Sequence, residues 1–162
     1  RVELIAAGPI RNIEDLDGDS KDELLVTDAR WEMYADLPHA ASPWSTIIYS
    51  WRHGRYEVAS SDFTRYYEGE LARLRTALSA SQSMITEEDS SDDSYVGLAL
   101  AIAVTYSDMG QVERGLNSLQ KLFQDSAKSA AQARRRETIL RDFKSGESAA
   151  KLKATKYGDP IL

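Results

Sequence analysis

The periodicity of the chain changes once, at Phe63, and that change decides the fold class. Before it, β-branched and aromatic residues gather in short runs, 23–27, 46–51 and 56–59. Runs of that length bounded by turn residues read as strands. After it, Phe63, Tyr67, Leu71, Leu74 and Leu78 recur at spacings of three and four, which is the apolar stripe of an amphipathic helix. The chain therefore reads as α+β: a small antiparallel sheet of three to five strands, then a bundle of three or four helices packed on it. The expected division is a β subdomain over 1–62 and a helical subdomain over 63–162.

Within the first part, Arg52-His53-Gly54-Arg55 supplies a hairpin turn between the runs at 46–51 and 56–59, with Gly54 free to take φ > 0. Residues 2–7 read as a further strand or lead-in, ended by Gly8-Pro9. The stretch 28–45, with Pro38, Pro43 and exposed-looking Trp31, Tyr34 and Trp44, reads as a long loop. In the second part, Ser61 or Asp62 is the candidate cap of the first helix, and Met84-Ile85 extend its stripe. An acidic, serine-rich linker follows at 87–93. A helix over about 94–108 is apolar nearly all round, which predicts deep burial. Gly110 ends it, and helices over about 112–124 and 127–144 follow. Arg134-Arg135-Arg136 reads as a solvated face paired with nearby acids, and the tail from Ser145 as a fraying end.

The recognisable chemistry is at Asp15-Leu16-Asp17-Gly18-Asp19-Ser20-Lys21-Asp22-Glu23. Alternate side chains of a tight loop converge, and calcium takes six to eight oxygens from carboxylates, carbonyls and water. Asp15, Asp17 and Asp19 would offer carboxylates, Lys21 its backbone carbonyl and Glu23 the closing carboxylate, with Leu16 turned away. Without a cation, the four carboxylates would repel and raise one another's pKa values. An EF-hand is excluded: its sixth position requires Gly and its twelfth Glu, and these are Ser20 and Val26.

A loop of this pattern running into the apolar strand Leu24–Val26 resembles the calcium loop of the FG-GAP/VCBS-type repeat of integrin-like β-propellers. That pattern is Asp-x-Asp/Asn-x-Asp-Gly-x-x-Asp/Glu followed by a hydrophobic strand. Asp15, Asp17, Asp19 and Glu23 match it; Ser20 departs from it where Gly is usual, and bears strain if the position takes φ > 0. The resemblance implies Ca2+ as a structural ion and a single blade-like sheet over the first third of the chain. One blade cannot close a propeller, so the sheet must pack on the rest of the chain. Tyr106, Gly110, Gly115, Leu119 and Ala103 are similar in spacing to one tetratricopeptide-repeat hairpin.

Composition limits the function. Net charge is −6, against a nucleic-acid partner, which wants a basic patch. There is no cysteine, hence no disulfide or thiolate chemistry. No apolar run reaches membrane-spanning length, so no membrane insertion is expected. The chain opens on Arg1, which fits a mature or trimmed chain. No phosphate-cradling loop, zinc spacing or nucleophile elbow is present. His39 with Asp36 and Ser42 can be drawn as a site, but no strand-to-helix turn supports it. The expectation is a non-enzymatic, periplasmic or extracellular interaction module that binds another protein and carries one calcium-type loop. The alternative is a helical, tetratricopeptide-like peptide- or protein-binding scaffold with no functional metal, its groove lined from Tyr106 and Leu119.

Overall fold

The computed structural model describes residues 8–84, 92–124 and 130–145. The expected strand at 2–7, the acidic stretch 87–91 and the tail beyond Ser145 lie outside the described residues. The strands are β1 (Ile10–Glu14), β2 (Glu23–Asp28), β3 (Ser45–Arg52) and β4 (Arg55–Val58), and the helices α1 (Thr64–Met84), α2 (Asp93–Asp108), α3 (Val112–Gln124) and α4 (Ala130–Ser145). The α+β class is as the sequence implies.

The four strands form an antiparallel meander in the order β1-β2-β3-β4. The hairpin between β3 and β4 turns on His53 and Gly54, at φ 52° and 81°. Two consecutive positive φ values match the right-handed strand twist, which is why short hairpins favour Gly here. Successive side chains alternate between faces. Leu25 and Ile48 enter the main core with the helices. Leu24, Val26, Ile47 and Tyr49 form a second buried cluster on the other face, with Tyr56 against it.

The stripe Phe63, Tyr67, Leu71, Leu74 and Leu78 is buried throughout, so α1 seats its apolar face as its periodicity demands. Asp62 is taken instead by Arg52, at 2.5 Å. Helix α2 is the centre of the molecule, packed against α1, α3 and β3. Leu100 and Ile102 are at most 1% exposed, and each such burial is worth about 1.5–3 kcal/mol. Its C-terminus closes with Gly110 at φ 75°: Gln111 N–H donates to Tyr106 O and Gly110 N–H to Ser107 O, at 2.8 and 2.9 Å. This pair of bonds is the Schellman arrangement. Across the α2–α3 crossing, a Cβ on Gly115 would stand 2.6 Å from Ala103 O, so only glycine permits that approach. Tyr106 and Leu119 are 4% and 0% exposed. They belong to the core, so among the described residues they do not line an open groove.

The stretch 28–45 also departs from expectation. It is three short 3-10 turns, Ala29–Trp31, Tyr34–Asp36 and His39–Ala41, and it packs. Trp31 and Leu37 are buried in the main core, and Trp31 meets Tyr34 edge-on and Phe143 of α4. A side chain at Gly97 of α2 would overlap Ala41 O. Apolar residues spaced irregularly can still share a core when the backbone turns tightly, which periodicity does not register.

The arginine run pairs with nearby acids as expected, and Arg134 is exposed, but Arg136 is buried rather than solvated. Arg136 is 4% exposed at its side chain and pairs with Asp92 Oδ2 at 2.5 Å. Arg135 binds Asp93 Oδ1 at 2.6 Å and donates to Ala35 O at 3.0 Å. These bonds tie α4 to the start of α2. Among the described residues, no helix is long and apolar enough to cross a membrane.

Candidate metal centre

The acidic loop joins β1 to β2. Asp15 organises it: its Oδ1 accepts from Gly18 N–H at 2.7 Å and its Oδ2 from Ser20 N–H at 3.0 Å. Asp17 Oδ1 accepts from Asp19 N–H at 3.1 Å, and Asp19 Oδ1 from Lys21 N–H at 2.8 Å. Such side chain to backbone bonds are how Asp shapes a turn. Gly18 and Ser20 both take left-handed backbone, φ 79° and 67°. Ser20 thus occupies the strained conformation that makes Gly usual at its position.

These bonds bring Asp15, Asp17 and Asp19 together. One carboxylate oxygen from each lies within 4.8 Å of the other two, and all three residues are exposed. Calcium binds oxygen at 2.3–2.6 Å, so its opposed ligands stand about 4.6–5.2 Å apart. Three ligands spread evenly around one ion stand closer, about 4.0–4.5 Å apart, so oxygens gathered within 4.8 Å need at most a small turn of the carboxylates to share one ion, and an all-oxygen donor set suits a hard cation.

The other two expected ligands stand differently. Glu23 is 2% exposed and turned inward: Leu16 N–H donates to its Oε2 at 2.9 Å and Ser50 Oγ to its Oε1 at 3.2 Å. It fastens the loop entrance to β3, while Leu16 packs against the main core. Lys21 points its ammonium at Asp19 Oδ2, 2.6 Å away. That hydrogen bond holds the Asp19 carboxyl below the usual range, the reverse of the rise expected from mutual repulsion. A positive charge is therefore already attracted to this loop.

The His39 arrangement does not assemble. His39 Nδ1 lies 3.0 Å from Glu32 Oε1, and Ser42 Oγ accepts from Met33 N–H at 2.9 Å.

A second ionic cluster escaped the sequence reading. Asp28, fully buried at the end of β2, accepts from Arg30 Nε at 2.7 Å and Nη2 at 2.6 Å. Asp108, the last residue of α2, stands 3.9 Å from the same Nη2. One signal was present in the sequence: an acidic residue closing an apolar helix opposes the helix dipole, so its position asks for an explanation.

No family model, curated protein or solved structure matches this chain.

Proposed function

We propose that this chain is a non-enzymatic interaction module, periplasmic or extracellular, whose acidic loop takes calcium as a structural brace and whose sheet meets another protein. The observation that carries the reading is the gathering of one oxygen each from Asp15, Asp17 and Asp19 within 4.8 Å of one another. The three carboxylates would hold the ion, with the Lys21 carbonyl and Glu23 completing the set if Glu23 exchanges one of its present bonds. The ion would neutralise the loop and fix β1 against β2. Millimolar calcium is found outside the cytoplasm, which favours that compartment for an exposed loop of this kind.

The apolar rim of the sheet supports the interaction role. Ile10 and Ile13 pair with Val26 and Leu24, Val58 with Tyr49, and Trp51 with Tyr56. Cross-strand partners project to the same face, so the four exposed residues among them, Ile10, Ile13, Trp51 and Val58, surround the second cluster on one side. Clustered exposed apolar groups mark interaction surfaces more than single ones do.

Calorimetric titration with calcium, paired with thermal unfolding in calcium and in chelator, tests the proposal. Binding heat and a melting temperature several degrees lower in chelator are expected. Asp17→Asn should lose both, since Asp17 serves the loop backbone through one bond that the amide oxygen can still accept. No heat and no shift at millimolar calcium would overturn the reading.

A further inference from the structure

Asp108 poses a problem that its neighbours do not solve. Its side chain is 7% exposed, and its Oδ2 finds no hydrogen-bond partner among the described residues. Asp28, fully buried beside it, already takes two guanidinium nitrogens of Arg30. Two carboxylates thus share one cation, and the one left at 3.9 Å is the one at the negative end of α2. The Ser45 hydroxyl, opposite Asp28 in the β2–β3 register, is also buried; it completes no close hydrogen bond, but it stands near enough to Asp108 to act on that carboxyl. An ionised carboxylate in that position is costly, because a buried charge needs pairing and hydrogen bonds together. Ser45 Oγ can donate to the ionised carboxyl and accept from the protonated one, so the balance is tipped toward the proton by burial and by the neighbouring Asp28 charge, not by Ser45.

We propose that Asp108 is a proton-operated catch between the helical layer and the sheet. With a proton on Oδ2, it donates to Ser45 Oγ, and α2 stays seated on β3. When the proton passes to solvent, Asp28 and Asp108 compete for Arg30, and the seam loosens. The groups that face Asp108 are Asp28 of β2, Arg30 of the turn that follows, Ser45 of β3 and Tyr67 of α1. Tyr67 is committed to Thr46 O at 2.6 Å, and its own phenol is pushed up by burial, so it stays neutral. Burial raises the Asp108 carboxyl to about 7, Asp28 pushes it the same way, and Ser45 and Arg30 oppose the rise.

The sign follows from linkage. The folded-state pKa lies above the unfolded one, so the stability is fully present below about pH 4 and is lost as pH rises through about 7. Urea unfolding of the full chain should show the unfolding equilibrium constant rising about a hundredfold between about pH 5 and about pH 8. Asp108→Asn, neutral at every pH and able to donate to Ser45, should flatten that slope. The double variant His39→Gln/His53→Gln should keep it, because both imidazoles are exposed, 69% and 82% at their side chains. A wild-type slope retained in Asp108→Asn, or lost in the histidine variant, overturns the proposal. Should Asp108→Asn fail to fold, carbon-13 NMR of the wild-type aspartate carboxyls decides: an Asp108 midpoint near 7 supports the catch, and one below about 5, toward the ordinary carboxyl range, overturns it.

Discussion

In the β1–β2 loop, the clustered carboxylates of Asp15, Asp17 and Asp19 and one lysine stand in water; at the sheet–helix seam, two buried carboxylates meet one partly exposed arginine. The side-chain chemistry is nearly the same. Exposure makes the difference. In the loop, solvent screens the repulsion, Lys21 holds the Asp19 carboxyl low, and the remaining negative charge can be met by a cation from solution. At the seam, desolvation lifts the Asp108 carboxyl, and the charge deficit is met most cheaply by a proton. The two respond to pH with opposite signs. The Asp19 contribution is present above the ordinary carboxyl pKa and lost as pH falls; the Asp108 contribution is present in acid and lost as pH rises toward 7.

The largest effect should come from removing the cation closest to the seam, Arg30. Arg30→Ala leaves Asp28, fully buried, without its bidentate partner, and should cost about 3–5 kcal/mol in urea unfolding near neutral pH. Lys21→Ala in the exposed loop should leave the midpoint unmoved, because surface pairs contribute little. Equal costs for the two would break the contrast.

A second buried pair sharpens it. Asp92 and Arg136 are both nearly buried, but here bases match acids: Arg135, paired with Asp93 at 2.6 Å, also approaches Asp92, at 3.9 Å. Asp92→Ala should cost about 3 kcal/mol, the low end for a broken buried pair, because Arg136 keeps the faces of Tyr95 and Phe123, each 5.4 Å away. This loss should not vary between about pH 5 and about pH 8. A slope there would mean that burial alone, and not two acids sharing one base, produces the pH response.

The calcium arm is smaller. A ligand that binds only the folded state stabilises by mass action, so millimolar calcium should raise the melting temperature by a few degrees in the wild type and not in Asp17→Asn. The same rise should survive in Asp108→Asn, since loop and seam are separate charge systems. Its loss in that variant would show the two to be coupled.

The parts of this picture visible in the sequence are those governed by local rules. Strand runs, the His53-Gly54 turn, the α1 stripe and the Gly110 stop each depend on neighbours within a turn or two. The convergence of Asp15, Asp17 and Asp19 is legible for the same reason: it is made by bonds between residues at most five apart. The inward turn of Glu23 was not legible, because it depends on Ser50 of the neighbouring strand, far along the chain. Trp31 and Leu37 were hidden because irregular backbone carries no period. The seam was hidden because Asp28, Ser45 and Asp108 meet only after α2 docks on the sheet, and a charged residue far along the chain looks like any other surface acid until then.

A small predicted effect tests the loop without touching a charge. Ser20 holds φ 67°, a conformation costing a residue with a Cβ about 1–2 kcal/mol. Ser20→Gly removes that strain and keeps the Ser20 N–H to Asp15 bond, which is made by backbone. Glycine also loses more freedom on folding, about 0.5–1 kcal/mol, so the net gain should be about 0.5–1 kcal/mol in urea unfolding. If the loop binds calcium, the same substitution should tighten it, because less strain opposes the bound geometry. Gly18→Ala, at φ 79°, should move both quantities the other way. A Ser20→Gly variant that is less stable than wild type would mean that the serine hydroxyl holds the loop more firmly than its backbone bonds do, and the exposed cluster would then be organised by side chains rather than by the turn.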